Sequence, residues 1–336
     1  MIIEARTPCR IDLAGGTLDL HPLFLFEGGG LTVNLAIQPG ACVRLETRRD
    51  RAIRIVSEDT GAHERAASVE ALKFGGPLDL IARLVKHYRP RTGLNVATRN
   101  APPRGSGLGA SSSLLIAVSS ALRELNRSRL TDAEIIFRGS RIEAQNIGIP
   151  TGNQDYYPPM YGGVSAIWFD VPGDRHERIR VRAPFREELQ RRLVLSFTGE
   201  PHFSAVTNWS MIKGYIEKTG RTRKCLRRIK ATAYRMREAM LAEDLDALGR
   251  VLAEEWENRK RLARGVTTPT LERQIAAAAR AGAVASKVCG AGGGGCMITL
   301  AKAGREDAVK AALAKAGARV LDYTIDTDGL QVDRLP

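Results

Sequence analysis

The sequence contains few cysteines and no long apolar run. Its 336 residues include five cysteines, which are scattered and form no Cys-x-x-Cys pair. Neither a zinc site nor a disulfide framework is therefore indicated, and a reducing cytoplasm is the simplest setting. No apolar stretch is long enough to span a bilayer, and Met1–Arg6 lacks the layout of a signal peptide. We expect a cytoplasmic protein without a membrane segment.

Acidic residues are scarce relative to basic ones. Lys and Arg total 51 against 37 Asp and Glu, which gives a formal net charge of +14. Basic surfaces bind nucleic acids through counterion release, and they also attract phosphorylated substrates. Much of the excess lies between Lys213 and Arg264 at helical spacing, without the interleaved aromatic residues on which single-stranded bases stack. A solvated helix face is the favoured interpretation, so we expect a small-molecule substrate, no nucleic-acid partner, and a monomer or homodimer.

The hydrophobic periodicity indicates a mixture of strands and helices. Predicted strands span residues 2–13, 31–37, 42–47, 53–56, 93–99, 162–169, 179–181, 193–197, 296–300, 320–323 and 330–332. Predicted helices cover 77–88, a segment ending near 125, 131–146, 208–281 with breaks near 220 and 267–269, and 305–315. The pattern favours an α+β fold over a doubly wound parallel sheet. A shift from mixed strands to long helices near 185–200 predicts two domains, 1–190 and 191–336.

A glycine-rich bend lies between a predicted strand and a predicted helix. It comprises Pro102–Ser113, with glycines at alternate positions and three consecutive serines at its end. Glycines let a ligand approach the backbone, and a helix start presents unpaired N–H groups to anions. The bend is therefore a candidate phosphate cradle, although a mobile turn is an equally simple reading of these residues alone. It matches neither the Walker loop nor the Rossmann fingerprint.

Hydroxyl and carboxylate groups near this bend could complete a Mg²⁺ site. Ser111 and Ser112 stand at the helix start, and Glu143 is the nearest candidate carboxylate in sequence. Mg²⁺ prefers a few oxygen ligands together with substrate phosphates. The alternative for Glu143 is a surface position on a helix.

Other polar residues suit phosphoryl transfer to a hydroxyl group. Asp155, just past a predicted helix end, could orient or deprotonate an attacking hydroxyl, and Arg10 could neutralise charge on the transferred group. Asp19 and His21 could bind substrate hydroxyls, and a second glycine run, Gly290–Gly295, could let a backbone approach the ligand. Turn residues, a surface ion pair and a flexible loop are the structural alternatives.

Three segments together resemble the motifs of the GHMP superfamily, which includes galactokinase and the homoserine, mevalonate and phosphomevalonate kinases. They are Pro8–Asp19, Pro103–Ser113 and Lys287–Cys296, in the order of the superfamily and over nearly the whole chain. Within it, Leu13–Gly16 and Gly152–Tyr157 look most like bacterial kinases of heptose phosphates.

This resemblance implies an N-terminal lobe like ribosomal protein S5 domain 2, a ferredoxin-like C-terminal lobe and an active site in the cleft between them. It gives Ser111 and Glu143 the role of Mg²⁺ ligands, Asp155 that of the catalytic aspartate and Arg10 that of the basic residue beside it. Because Ala110 replaces the first serine of the usual pair, Ser112 is a second candidate ligand.

By the same resemblance, Asp19 matches a sugar-binding carboxylate of the superfamily. Two departures from the superfamily pattern concern the acceptor. Gly16 stands where galactokinases carry a glutamate, which argues against galactose. His202 stands where the heptose kinases are expected to have an arginine. If that arginine grips a substrate phosphate, the acceptor of this chain is unphosphorylated or differently bound.

We therefore expect an ATP- and Mg²⁺-dependent kinase for a sugar hydroxyl, on a heptose or heptose phosphate. A mevalonate-type alcohol as acceptor, another sugar, and a non-catalytic nucleotide or sugar sensor are the alternatives. The expected ATP-binding residues are Pro103, Arg104, Gly105, Ser106, Gly107, Leu108, Gly109, Ala110, Ser111 and Ser112. The expected substrate-binding residues are Gly16, Thr17, Asp19, His21, Asn153, Gly292 and Gly293.

Overall fold

The structure is a computed structural model that describes residues 1–201, 204–218 and 220–335. His202, which bears on the acceptor, lies outside the described residues. None of the helices within these ranges is long and apolar enough to cross a membrane.

The described residues form thirteen strands. They are β1 (Ile2–Ala14), β2 (Gly30–Thr47), β3 (Ile53–Ser57), β4 (His63–Ala66), β5 (Leu94–Asn100), β6 (Val164–Phe169), β7 (Arg175–Ile179), β8 (Leu193–Phe197), β9 (Ala283–Val288), β10 (Cys296–Ala301), β11 (Arg319–Leu321), β12 (Thr324–Ile325) and β13 (Gln331–Leu335).

The same residues form eleven α-helices. They are α1 (Leu23–Phe26), α2 (Asp79–Tyr88), α3 (Ala110–Leu125), α4 (Asp132–Ile147), α5 (Tyr157–Tyr161), α6 (Ala183–Arg192), α7 (Ser204–Ile216), α8 (Thr222–Leu241), α9 (Leu245–Arg259), α10 (Pro269–Ala281) and α11 (Glu306–Lys315). A short 3₁₀ turn, Gln154–Tyr156, precedes α5.

The larger sheet is built on two long antiparallel strands. Its order is β13-β1-β2-β5-β3-β4, with β6 and β12 also paired to β2, and β7 paired to β6. The β1–β2 register runs from Ile2 opposite Glu46 to Ala14 opposite Val33, with a shift between Thr7 and Cys9 around Pro8. Because β1 pairs with both halves of β2, the two strands predicted at 31–37 and 42–47 are one strand.

The smaller sheet has the order β11-β8-β10-β9 and is antiparallel throughout. Helices α10 and α11 contact each other and pack on its strands, and α8 and α9 form a second antiparallel pair. The predicted α+β class is confirmed. The predicted boundary at 190/191 stays a prediction, and one fact qualifies it: β12 and β13, from the end of the chain, pair with β2 and β1 of the larger sheet.

Several elements differ from the sequence-based expectation. The long helical stretch after residue 208 has a further break at Glu243, whose φ is +53°, before the Asp244 side chain caps α9. The strand expected at 179–181 ends at Ile179, and the charged helix α6 follows it. The short elements α1, β4, β9 and β12 were not predicted, because their few residues carry too little periodicity.

Helices α3 and α4 position the candidate site. Buried apolar residues of α3, including Leu115, Ile116 and Val118, pack on β1 and β2. Helix α4 begins at the predicted capping box, in which Thr131 and Glu134 cap each other reciprocally. Gly139 lets α4 approach α3 closely, since a side chain there would overlap Leu115. The C-terminal half of α4 is thereby held beside the first turn of α3.

Candidate active site

The glycine-rich bend is held in place by backbone contacts. Gly105, Gly107 and Gly109 have φ values of +67°, +69° and +69°, which disfavour any larger residue. A Cβ at Gly107 would lie 2.7 Å from the carbonyl oxygen of Cys289. The N–H of Cys296 donates to the carbonyl of Ser106 at 2.6 Å, so the second glycine run supports the bend. Gly109 then leads into α3, whose first N–H groups have no partner within the helix.

A cavity of about 480 Å³ opens along this bend. Nine of the ten residues expected to bind ATP line it, whereas Leu108 is buried beneath the bend and its carbonyl accepts the N–H of Arg10 at 3.0 Å. The cavity is also lined by apolar and polar groups that sequence reasoning did not single out. They are Ser57, Asp59, Pro77, Leu78, Asp79, Leu80, Ile81, Asn100, Asn146, Ile147 and Pro150.

A carboxylate and neutral hydroxyl groups meet at one end of this cavity. Glu143 Oε2 accepts hydrogen bonds from Ser112 Oγ at 2.9 Å and Tyr156 Oη at 2.6 Å, and Ser111 lines the same cavity. Burial raises the pKa of Glu143, and these hydroxyls offset it only in part. Glu143 is therefore not the surface residue that the simpler reading suggested. Ser111 is exposed to the cavity and Ser112 is buried, and this set of oxygens fits the preferences of Mg²⁺.

Arg10 and Asp155 form an ion pair beside the bend. Arg10 Nη2 lies 2.7 Å from Asp155 Oδ1, and Arg10 Nε donates to the same oxygen at 2.8 Å. Arg10 Nη1 also donates to the carbonyl of Gly107. Both residues line the cavity, and the aspartate side chain is the more exposed of the two, at 25% against 4% for the arginine.

A second, smaller pocket of about 50 Å³ adjoins the first at this ion pair. Arg10 and Asp155 line both spaces, and Thr17, Asp19, Leu20, Gln154, Gly290 and Ala291 line only the smaller one. Gly152 and Asn208 also line both spaces, so the two adjoin at the ion pair and these neighbours.

Asp19 is fixed within the small pocket by backbone groups. Its carboxylate accepts the N–H of Thr17 at 2.9 Å and the N–H of Gln154 at 3.2 Å. A side chain at Gly152 would overlap this carboxylate, which explains why a glycine stands there. Burial, together with the charge of Asp155, raises the pKa of Asp19 to about 7.

Some residues expected to bind the substrate do not line either cavity in the described part of the chain. His21 is exposed and packs edge-on against the ring of Phe24, with centroids 5.8 Å apart. The amide of Asn153 donates to Asp174 at 3.2 Å. Gly16 faces inward, since a Cβ there would lie 2.6 Å from Asp12 Oδ2.

Within the second glycine run, the residues that reach the small pocket are Gly290 and Ala291, not Gly292 and Gly293. A Cβ at Gly292 would lie 2.6 Å from a methyl group of Val266, and the N–H of Gly293 donates to the Val266 carbonyl at 2.7 Å. These two glycines pack against their own lobe, and Gly290 and Ala291 lie at the pocket instead.

Sequence reasoning also missed a buried ionic network next to the small pocket. It joins Asp12, Glu255, Arg259 and Lys287, whose side chains are at most 1% exposed. Two signals were present: Asp12 shares a strand face with Arg10 two residues away, and Glu255 and Arg259 have the i, i+4 spacing of a helical ion pair.

Comparison with known proteins gives the family of this chain. The profile of the GHMP kinase N-terminal domain matches residues 77–163, and that of the GHMP kinase C-terminal domain matches residues 236–319. The chain belongs to the GHMP kinase family. It is a phosphotransferase that uses an alcohol group as acceptor, and kinases of this family use ATP. The predicted resemblance and the predicted fold of this GHMP kinase are both confirmed.

Full-length relatives of this GHMP kinase include sugar kinases. It is 29% identical over 343 residues to a D-glycero-α-D-manno-heptose 7-phosphate kinase of Campylobacter jejuni, with 99% of both chains covered. Its structure superposes with a TM-score of 0.80 on the crystal structure of a D-glycero-D-manno-heptose 1-phosphate kinase of Bacteroides thetaiotaomicron. The two sequences are 26% identical, and both chains are covered completely. A mevalonate kinase of Methanothermobacter thermautotrophicus is 28% identical over 74% of this chain and 80% of its own.

Proposed function

We propose that this GHMP kinase transfers the γ-phosphoryl group of ATP to a hydroxyl group of a heptose or heptose phosphate. The observation that carries the proposal is the position of Asp155 and Arg10, which line both the 480 Å³ cavity at the glycine-rich bend and the 50 Å³ polar pocket. A group at this junction can contact a phosphate in one space and a hydroxyl in the other. The full-length similarity to two heptose phosphate kinases supports the choice of acceptor.

The ATP phosphates bind at the glycine-rich bend. Gly105, Gly107 and Gly109 line the cavity with the first residues of α3, and unpaired N–H groups at a helix start can stabilise negative charge without a change of conformation. The apolar residues Leu78, Leu80 and Ile81 also line the cavity and suit a flat base. The larger cavity thus takes the nucleotide.

The oxygen-rich end of this cavity holds Mg²⁺. Ser111 and Glu143 are the proposed ligands, with Ser112 as a further hydroxyl that is hydrogen-bonded to Glu143. When bound there, Mg²⁺ would supply positive charge that neutralises the phosphate oxygens. A positive charge here would also stabilise a buried carboxylate whose present partners are uncharged hydroxyl groups.

Asp155 orients the acceptor hydroxyl and takes its proton. Arg10 fixes the carboxylate through Oδ1 and stabilises the charge that accumulates on the phosphoryl group. Most of the rate enhancement comes from positioning and electrostatics, because phosphoryl transfer requires little covalent work from the protein.

Asp19 favours a polyol acceptor over a mevalonate-type alcohol. Its carboxylate is rigidly held at the small pocket and can accept hydrogen bonds from sugar hydroxyls. Whether the sugar already carries a phosphate is part of the proposal that the experiment must decide, since His202 lies outside the described residues.

One screen tests the acceptor. ADP release is measured with ATP and Mg²⁺ across aldohexoses, heptoses, their phosphates and mevalonate, with the Asp155→Asn variant as the blank. We expect the highest kcat/KM with a heptose or heptose phosphate. Faster turnover of mevalonate or a hexose would overturn the acceptor class, and no turnover with any acceptor would favour a nucleotide or sugar sensor.

A further inference from the structure

Four buried charges connect the two halves of the molecule beside the small pocket. Lys287 Nζ, on β9, lies 2.9 Å from Asp12 Oδ2 on β1 and donates to the Asp12 carbonyl at 2.7 Å. Arg259, the last residue of α9, donates to Glu255 Oε1 from Nη2 at 2.6 Å and from Nε at 2.8 Å. The charges of the four residues sum to zero, which is the condition under which buried ions are tolerated.

Arg259 also contacts the two loops that border the small pocket. Its Nη2 donates to the carbonyl of Gly16 at 2.8 Å, and its Nη1 donates to the carbonyl of Gly290 and to Thr17 Oγ1, each at 3.3 Å. The loop of residues 15–19, which we call the acceptor loop, precedes α1 in the N-terminal half of the chain, and Gly290 follows β9. One guanidinium therefore joins both sides of the pocket.

The acceptor loop holds a conformation that needs such support. Thr17 has a φ of +80°, a region that a β-branched side chain rarely adopts. Its N–H is bound by Asp19 Oδ1 at 2.9 Å, and its hydroxyl group contacts both Arg259 and the sulfur of Met211. Strained backbone of this kind persists only where the surroundings determine it, and it concentrates at functional sites.

We propose that Arg259 is a positioning residue for the acceptor: it holds the strained turn at Thr17, and thereby Asp19, in the geometry that binds the sugar hydroxyls. This inference rests on the proposed role of the small pocket as the acceptor site. Buried ion pairs add little net stability compared with apolar side chains of similar volume. Arg259 donates to three acceptors outside its own helix. Its planar fork of donors can therefore hold the acceptor loop in place, which an apolar side chain could not do.

The test compares three variants. Arg259→Lys keeps the positive charge near Glu255 but replaces the planar fork with a single ammonium group. The double variant Glu255→Gln/Arg259→Met removes one charge of each sign, so the network stays neutral if the first variant fails to fold. The matched control is Glu254→Gln/Arg235→Met, which removes an exposed ion pair between α9 and α8, with contacts of 2.7 and 2.9 Å.

We expect both network variants to raise the KM for the heptose acceptor at least about tenfold, which corresponds to the loss of a hydrogen bond to a charged group. The KM for ATP should stay within about twofold, and Arg259→Lys should keep its melting temperature close to that of the unchanged protein, so that the effect on KM is separate from folding. Equal increases in both KM values, or an unchanged acceptor KM, would overturn the proposal, as would an equal effect in the control.

Hydrogen exchange tests the loop without any acceptor. In Arg259→Lys the amides of residues 15–19 should exchange at least about tenfold faster, while those of α3 keep their rates. Unchanged exchange in the acceptor loop would overturn the positioning role even if the acceptor screen succeeds. Faster exchange together with a failed heptose screen would leave the positioning role standing and reject the acceptor.

Discussion

Arg10 contacts a single oxygen of Asp155 with two of its nitrogens, at 2.7 and 2.8 Å, while its third nitrogen holds the carbonyl of Gly107. The same arginine therefore orients the proposed base and contacts the bend that is proposed to bind the phosphates. Burial alone would lower the pKa of Arg10, but the negative charges of Asp155 and Asp12 outweigh that effect and raise it. Arg10 therefore stays positively charged. A substitution that tests Asp155 separately from nucleotide binding should therefore leave Arg10 in place.

Asp155→Asn should lower kcat by about 10²–10⁴-fold, because the amide cannot accept the proton of the hydroxyl group. The affinity for ATP should change little, since Arg10 and the bend remain. Steady-state kinetics and calorimetric titration with a non-hydrolysable ATP analogue measure the two quantities. Asp170→Asn, at an exposed position outside both cavities, is the control. Near-normal turnover of Asp155→Asn would show that this residue is not the base.

Glu143→Gln should raise the Mg²⁺ concentration for half-maximal rate by about tenfold or more, the effect of losing roughly 1.4 kcal/mol of charge–charge attraction. The metal-free variant should also melt at a higher temperature than the unchanged protein at neutral pH. The pKa of Glu143 is raised in the folded protein, so its ionised form lowers the free energy of unfolding once the pH exceeds the ordinary carboxyl range. An unchanged Mg²⁺ titration would remove Glu143 from the metal site.

Much of the fold was accessible from local patterns. The capping box at Thr131 and Glu134 gave the start of α4, and period-two alternation gave most strands of the larger sheet. Long-range pairing was not accessible. The union of two predicted strands into β2 depends on β1, and the break at Glu243 lies within a helical pattern that has no glycine or proline within five residues of it.

The residues of the candidate site that lie in segments with a local sequence signature were predicted, and those whose position depends on long-range contacts were not. The glycine-rich bend, Asp155 and Glu143 lie in segments with a local signature, and the structure brings them together. Arg259 was hidden because it lies in a basic helical region that was interpreted as a solvated face, and its burial depends on Asp12 and Lys287, far away in the chain. His21 was proposed for its chemistry beside Asp19, and its role in substrate binding stays a prediction for a side chain that is exposed in the structure.

Gly109→Ala should lower kcat as well as stability. At its φ of +69° an L-residue costs about 1–2 kcal/mol, and the new Cβ would lie 3.3 Å from Arg10 Cγ and 3.5 Å from Asp155 Cβ. Gly304→Ala is a matched control, because Gly304 has a φ of +74° and a Cβ there would meet nothing within 4 Å. Thermal unfolding should reveal a similar loss in both variants, and kinetics should reveal a defect only in Gly109→Ala. A comparable loss of kcat in both would contradict this account.

Asp19→Asn should remove a pH dependence near neutrality. The pKa of Asp19 is about 7 in the fold against an ordinary value of 3.8, so the folded protein binds the proton more tightly than the unfolded chain. Its contribution to stability is full below the ordinary value and is lost as the pH rises through about 7. The melting temperature of Asp19→Asn should therefore fall less than that of the unchanged protein between about pH 5 and 8.

The acceptor KM of the unchanged protein should decrease over the same pH range, since the ionised carboxylate is the stronger hydrogen-bond acceptor. Melting curves and initial rates at matched ionic strength measure both effects. A variant with the same pH profile as the unchanged protein would mean that another group titrates.

Strands β12 and β13 belong to the larger sheet, and this affects whether a fragment of the enzyme can fold on its own. Strand β13 covers the outer edge of β1 from Ile2 to Arg6, and β12 pairs with β2 at Ile37 and Gln38. A fragment ending at residue 190 would lack both strands and expose an unpaired β1 edge, which is a template for aggregation. The larger sheet is thus completed by strands from residues 324–335, so the kinase is expected to fold as one cooperative unit and not as two autonomous halves.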